Sequence, residues 1–467
     1  MISHVAAKEQ VYHVTVVSNF ARAFDKYSGR YDKAALPQST YPDRFFVLER
    51  GELPIGFNKA TRLLEKLALS GDSLLVLEAE VASSSLHANT GTGLGRFLVG
   101  SALPIARVHW VTPEGDLQET NVEEAYARSL HCLAPSLRPY AELAPRSLSV
   151  LPIARACQAA CRFCFSESSA SLEQRARWAD VALAQRWMAP ARAAGAQRFV
   201  ITGGGEPGLL AHASMLELIR AGAEYFSTVV LITNGLHLAR ATELDRVRML
   251  AEYVEAGLTV LSLSRHHHDV RTNETIMGVD TGTESVLKSL REVKASLPSS
   301  GRSLRVRLVC VLQQGGIASP EDIGQYLAFA AREGVDEVCF KELYVSTTLE
   351  SAYHANPENE WSRTHQVPLA MLTQSLPDLG FKQQGSLPWG APLYSGQVAD
   401  GCGGLTTLRV AAYTEPSLYW ERHAGVARSW NLMADGTCLV SLEDTASALE
   451  PRSAPRRVIP VIASPPK

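Results

Sequence analysis

Three cysteines fall within eight residues, Cys157-Gln-Ala-Ala-Cys161-Arg-Phe-Cys164, in a C-x3-C-x2-C spacing. Three thiolates converging from one loop can ligate three irons of a [4Fe-4S] cube and leave the fourth iron without a protein ligand. A zinc site competes with this reading, but zinc knuckles use paired C-x2-C units and four protein ligands, and no fourth Cys or His lies near in sequence. Unrelated core thiols are the other alternative, since free Cys is commonly buried. Downstream stands Thr202-Gly203-Gly204-Gly205-Glu206-Pro207. A glycine run lets the backbone approach a ligand closely, and a carboxylate beside it can pair with an ammonium.

Both motifs sit at the ends of expected strands. Short β-branched and apolar runs at 148–153, 198–202, 228–233, 259–264, 305–312 and 337–343 predict six strands. Between them, residues 172–194, 215–224, 241–256, 284–296 and 320–333 carry apolar side chains at three- and four-residue spacing, which predicts helices. That alternation is the signature of an α/β fold with a parallel sheet, here a partial (βα)6 TIM-type barrel over 146–345. Loops at the C-terminal ends of such strands face a common mouth, so the chemistry is expected there.

The cysteine triplet resembles the cluster motif of the radical S-adenosylmethionine (radical SAM) enzymes, C-x3-C-x-aromatic-C, with Phe163 as the aromatic that contacts adenine. The resemblance implies a [4Fe-4S] cluster on Cys157, Cys161 and Cys164 whose open iron chelates the amino and carboxylate groups of S-adenosylmethionine (SAM). It also implies one-electron cleavage of SAM to a 5′-deoxyadenosyl radical that abstracts hydrogen from a substrate. The glycine run is similar to the family's G-G-E-P motif, which makes Gly203, Gly204, Gly205 and Glu206 the expected site for the methionyl amino group. Weaker matches lean toward the molybdenum cofactor biosynthesis protein A type. Thr233-Asn234-Gly235 is similar to its T-N-G, and Ser262 and Ser264 stand in a strand similar to V-S-L-D, so Thr233, Asn234, Ser262 and Ser264 are expected to bind cofactor. Arg307 falls where that type has a basic substrate-binding residue, and Glu342-Leu343-Tyr344 aligns with Glu-Leu-Met, which puts Tyr344 near the adenosyl group.

The departures concern the C-terminal region. That type has a second cluster held by closely spaced cysteines and a paired-glycine terminus, whereas here only Cys402 and Cys438 follow the barrel. The cysteine-rich extension of many peptide-modifying members is missing too. Cys310 and Cys339, on apolar strands, are expected to be small core residues, and an auxiliary cluster from Cys339, Cys402 and Cys438 is the minor alternative. Arg265-His266-His267-His268-Asp269 follows the fourth strand, and His266 is taken as a substrate or acid–base candidate because neutral histidine is easily poised near physiological pH. The stretch Asn273 to Gly278 reads as a loop. Lys341 and Glu342 point to alternate faces, and Lys341 joins Tyr344 and His266 as a catalytic candidate.

Around the barrel, residues 1–145 form an expected α+β domain with strand-like runs and one helix at 59–69, and 346–467 a pocket-closing segment with a loose Pro-rich tail. In the latter, Trp389 is expected to pack and the aromatic run 413–421 suits substrate recognition. The formal net charge of −3, the apolar fraction of 46 % and the absence of an apolar run of spanning length argue for a cytoplasmic protein without membrane or strong nucleic-acid binding. The expected partners are a small-molecule or peptide substrate and an electron donor such as flavodoxin or ferredoxin. An iron–sulfur sensor without SAM turnover and an RNA-modifying radical enzyme are the rival functions, and the latter predicts a basic face that this charge balance does not supply.

Overall fold

The computed structural model describes five N-terminal strands (11–17, 45–47, 75–82, 105–111 and 117–120) and, beyond them, residues 138–165, 181–297, 303–344, 357–367, 369–388, 391–415, 421–422, 424–442 and 444–450. The six expected strands are all present: β1 (Ser147–Val150), β2 (Arg198–Ile201), β3 (Thr228–Thr233), β4 (Val260–Ser264), β5 (Arg305–Leu312) and β6 (Glu337–Glu342). They pair in parallel and in sequence order. The connecting helices are α1 (Val181–Ala193), α2 (His212–Tyr225), α3 (Glu243–Ala256), α4 (Val270–Met277), α5 (Thr283–Ser296) and α6 (Pro320–Arg332). The first nine residues of the expected helix 172–194 and the expected helix 59–69 lie outside the described residues.

Local chemistry sets the boundaries. Thr242 accepts from the Asp245 amide and starts α3, and Gly257 stops it at φ 113°. Ser319 and Asp322 cap α6 reciprocally, with Pro320 at its first position. The segment expected to be a loop after the histidines is α4 instead. Asp269 accepts from the Thr272 amide and begins the helix, and Gly278 in the left-handed region at φ 70° ends it.

The two faces of the sheet divide cleanly. On β5 and β6, Val306, Leu308, Cys310, Val338 and Phe340 are buried under the helices, while Arg305, Arg307, Val309, Glu337, Cys339 and Lys341 alternate with them toward the interior of the curved sheet. Cys310 is the core thiol expected, but Cys339 lines the interior cavity. Phe199 of β2 is fully buried, stacked on Phe226 with centroids 5.9 Å apart, and a Cβ on Gly222 of α2 would lie 2.2 Å from its ring. Burying that ring stabilises the fold by about 2–3 kcal/mol.

The C-terminal segment does more than cover a mouth. Its strand β7 (Leu405–Tyr413) adds in parallel to β6, and β8 (Trp430–Leu432) adds in parallel to β1. The parallel arc thus has eight strands, flanked by antiparallel strands that include Pro392–Ala399 and Cys438–Leu439. Its two edges meet where Arg428, just before β8, pairs with Glu415, just after β7. Two further helices, Pro357–His365 and Leu369–Asp378, precede β7. The five N-terminal strands form an antiparallel sheet of order 45–47, 11–17, 75–82, 105–111, 117–120. No helix among the described residues is long and apolar enough to cross a membrane.

Candidate active site

The cysteine loop follows β1 and lies against the end of β2. The Gly205 amide donates to the Ile153 carbonyl and the Glu206 amide to the Ala156 carbonyl, both at 2.8 Å, which prolongs the strand pairing beyond β2. This contact explains the glycines. A Cβ on Gly204 would sit 2.4 Å from the Ala154 oxygen, and one on Gly205 2.3 Å from the Ala156 oxygen, so only glycine admits the loop at this distance.

Glu206 is buried and turned toward its own protein. One oxygen accepts from the Gly208 amide at 2.7 Å and from the Thr233 hydroxyl, and the other accepts from the Asn234 amide at 2.8 Å. Burial raises its pKa, and the bonds from Asn234, Thr233 and Gly208 oppose the rise. The side chain fastens the end of β2 to the end of β3. A ligand ammonium would therefore meet the glycine backbone before it met this carboxylate.

Asn234 links β3 to the cysteines. Its amide nitrogen lies 3.8 Å from Cys157 Sγ and 3.4 Å from Gln158 Oε1, and its oxygen accepts from the Leu236 amide at 2.9 Å. On the other side the Ala160 amide donates to the Met277 carbonyl at 2.8 Å, so the end of α4 supports the loop. Gly278 belongs to the same contact, with a would-be Cβ 3.0 Å from the Ala160 side chain. Sequence reading missed this prop because the segment was taken for a loop.

Cys157 is exposed and Cys161 and Cys164 are half-buried, and all three are free thiols. Burial pushes Cys161 up to about 12, with Cys164 and then Cys157 adding to the rise; Cys157 is raised by burial first, and Glu206 and Cys164 act in the same direction. Cys157 and Cys161, raised in this way, become thiolates only beside strong positive charge, and a metal centre supplies it. Among the described residues no three His, Cys, Asp or Glu side chains are gathered around a single ion. A cubane makes no such demand, because each thiolate takes a different iron. The donor set, the short loop and the glycine cradle fit a [4Fe-4S] cluster.

Phe163, between the cysteines, packs edge-on against His266 at 4.9 Å. His266 Nδ1 accepts from the Val311 amide at 3.1 Å, and burial, with Arg265 and Lys341 acting in the same direction, brings its pKa down to about 3. It is a neutral buried acceptor, which is not the poised acid–base group expected. Its neighbour Arg265 is fully buried, donates to the His267 carbonyl at 2.6 Å and the His268 carbonyl at 3.0 Å, and pairs with Glu284 at 2.6 Å. The histidine run is thus wound around a structural arginine.

The interior of the arc is a cavity of about 380 Å³ to which all eight parallel strands contribute. Thr202, Gly203 and Phe165 border it near the cysteine end, and Ser262, in register with Arg307 midway along β4, has a buried Oγ with no hydrogen-bond partner. Ser264 is half-buried at the end of β4. Lys341 enters the cavity while Glu342 is buried on the opposite face, where the Thr414 hydroxyl donates to it at 2.8 Å. Lys341 pairs with Glu415 at 2.9 Å and sits 5.2 Å from the Tyr413 ring centroid. Burial and then Arg428 bring it down to about 8, and Cys339 works against that shift. Tyr344 packs edge-on to Phe165 at 4.8 Å, and Arg307 lines the cavity in an ion pair with Glu337 at 2.7 Å. Trp389 and residues 416–420 lie outside the described residues.

Residues 151–306 match the family model of the radical SAM superfamily. Over that stretch the chain carries a radical SAM enzyme domain. Its cofactors are accordingly a [4Fe-4S] cluster and SAM. The model matches at the level of the superfamily and does not single out the molybdenum cofactor type. No curated protein matches the sequence. Among solved structures, SuiB of Streptococcus suis bound to S-adenosylmethionine is similar at 17 % identity and a TM-score of 0.42, over 70 % of this chain and 67 % of that one. The protein anSMEcpe with bound AdoMet and a Kp18Cys peptide is similar at 14 % identity and a TM-score of 0.34, over 50 % of this chain and 60 % of that one. HydG, a maturase of the [FeFe]-hydrogenase, shows 10 % identity and a TM-score of 0.36, over 56 % of this chain and 55 % of that one. This radical SAM enzyme thus spans about two thirds or less of the length of each, and all three are distant likenesses.

Proposed function

We infer that this radical SAM enzyme takes a hydrogen atom from a small-molecule or peptide substrate held inside the eight-strand arc. The observation that carries the reading is one cavity whose cysteine end is bordered by Gly203 and Phe165 and which continues down the barrel interior past the unpartnered Ser262 hydroxyl. When bound, the cluster and SAM supply one-electron cleavage of the sulfonium C5′–S bond and a primary carbon radical able to abstract hydrogen.

The chain's own residues bind, orient and shield. Cys157, Cys161 and Cys164 would hold the cluster, and Asn234 and the end of α4 keep their loop in place. Gly203 and the Ser262 hydroxyl, which both border the cavity, are the groups open to a ligand, while Gly204 and Gly205 are packed against the cysteine loop and Glu206 and Thr233 keep β2 and β3 in register beneath them. Phe163, backed by His266, and Phe165, backed by Tyr344, supply aromatic faces beside the loop. Val200, Val230, Ile232 and Val309 give the cavity an apolar wall that keeps water from a reactive radical. Cys157 is exposed, so a flavodoxin or ferredoxin can deliver an electron from outside. The described cysteines are all free, in keeping with a reducing, cytoplasmic setting.

Anaerobically reconstituted protein given dithionite and SAM should release 5′-deoxyadenosine, and the Cys161→Ala protein should not. Equal, background-level product from both would refute the reading.

A further inference from the structure

Charge inside the barrel is unevenly balanced. The side chains that line the cavity include five cations, Arg146, Arg198, Arg307, Lys341 and Arg428, and one carboxylate, Glu415. Glu415 is shared by Lys341 and Arg428. On the same interior face, beside the floor, Glu337 is already shared by Arg305 at 2.8 Å, Arg307 at 2.7 Å and Arg409 at 3.5 Å. Arg198 is left over. It opens β2, is exposed, and among the described residues its guanidinium has neither an ion pair nor a hydrogen bond. Although the side chain is exposed, the protein mass around it displaces enough water to lower its pKa, and Arg307, Arg146 and Arg305 lower it further, more than Glu337 restores. A guanidinium facing like charges beside a low-dielectric wall is stabilised by a guest anion, and its planar fork suits the two oxygens of a carboxylate or a phosphate.

The position of this cluster matters as much as its charge. Arg198 and Thr202 lie on the same strand and face the same cavity, four residues apart. At the rise of an extended strand that separation is about 13 Å. A slender molecule can therefore reach Arg198 with one end while the other lies beside Thr202 and Gly203; the face of a folded macromolecule cannot. We propose that the floor of the barrel, Arg198 with Arg146 and Arg307, anchors an oxyanion group, carboxylate or phosphate, at the far end of a small-molecule substrate. This inference rests on the radical SAM reading for the other end of the cavity.

The test is isothermal titration of the full-length, reconstituted protein at fixed ionic strength, with pyrophosphate as the phosphate probe and citrate as the carboxylate probe. At least one probe should bind the wild type, and the stronger binder names the source of the oxyanion. Arg198→Met should weaken that probe at least tenfold. Arg198→Lys, which keeps a charge and loses the fork, should weaken it by less and decides the matter if the methionine variant does not fold. No binding of either probe to the wild type, or equal affinity in both variants and the wild type, would overturn the floor site. Release of 5′-deoxyadenosine by the same wild-type preparation is scored separately. Its presence without anion binding refutes only the floor site, whereas its absence removes the reading on which the inference rests.

Discussion

Glu206 and Arg198 stand at opposite ends of one strand. Glu206, at the cysteine end, has both oxygens occupied by Gly208, Thr233 and Asn234, whereas Arg198, at the floor, has no partner among the described residues. The polar groups at the cysteine end are largely committed to holding the backbone in place. At the floor Arg307 is paired with Glu337, and Arg198 is the cation left with charge to share. The contrast teaches that a family motif can be structural in its side chain and ligand-facing in its backbone, while a site without any motif is legible only as a charge imbalance.

Several perturbations would sharpen or break that contrast. The largest effect is expected from Cys161→Ala, which should lose bound iron and reduce 5′-deoxyadenosine to background while leaving the floor's affinity for anions intact, as iron analysis and titration would show. Gly205→Ala comes next. Its methyl would lie 2.3 Å from the Ala156 oxygen and 2.7 Å from the Ile153 side chain, so the cysteine loop must move, at a cost of about 2–3 kcal/mol that thermal melting would detect together with lower iron retention. Glu206→Gln brings an amide donor to a place where three donors already point, and should destabilise by about 1–3 kcal/mol in denaturant titration.

Acid should attack the cysteine end first. Burial lowers His266 to about 3 and His237 to about 4. From an unfolded value near 6.5 downward the unfolded chain takes up protons that the folded chain refuses, so stability is full above that pH and falls as pH drops toward those folded values. The slope is about 1.4 kcal/mol per pH unit for each histidine. Melting curves between pH 7 and 5 should show it, and His266→Gln should flatten it. The smallest effect is expected from Arg428→Ala, which opens the seam between the two edges of the arc and leaves Glu415 to Lys341, at less than about 1 kcal/mol.

The six-strand frame was legible because strand and helix periodicities are local, whereas the short helix that Asp269 starts and Gly278 stops was read as a loop. The two strands that extend the arc were not legible. Residues 405–413 alternate buried and exposed positions like any strand, but nothing local says that they pair with β6 while 430–432 pair with β1. Glu206 was read from its motif as a ligand for an ammonium, and its actual partners are donors 27 and 28 positions away, which no spacing rule reports. Cys339 was placed in the core because its strand is apolar. Strand parity instead sends it inward with Arg307 and Lys341, and the same parity on β2, where Arg198, Val200 and Thr202 share a face, was the signal available for the floor.

The central claim is that the three cysteines hold a cubane with one iron open to SAM. Electron paramagnetic resonance of the reduced, reconstituted protein, carrying about four irons per chain, tests it most directly. The signal is expected to change shape and g values when SAM is added. A reduced-cluster signal identical with and without SAM would contradict the claim.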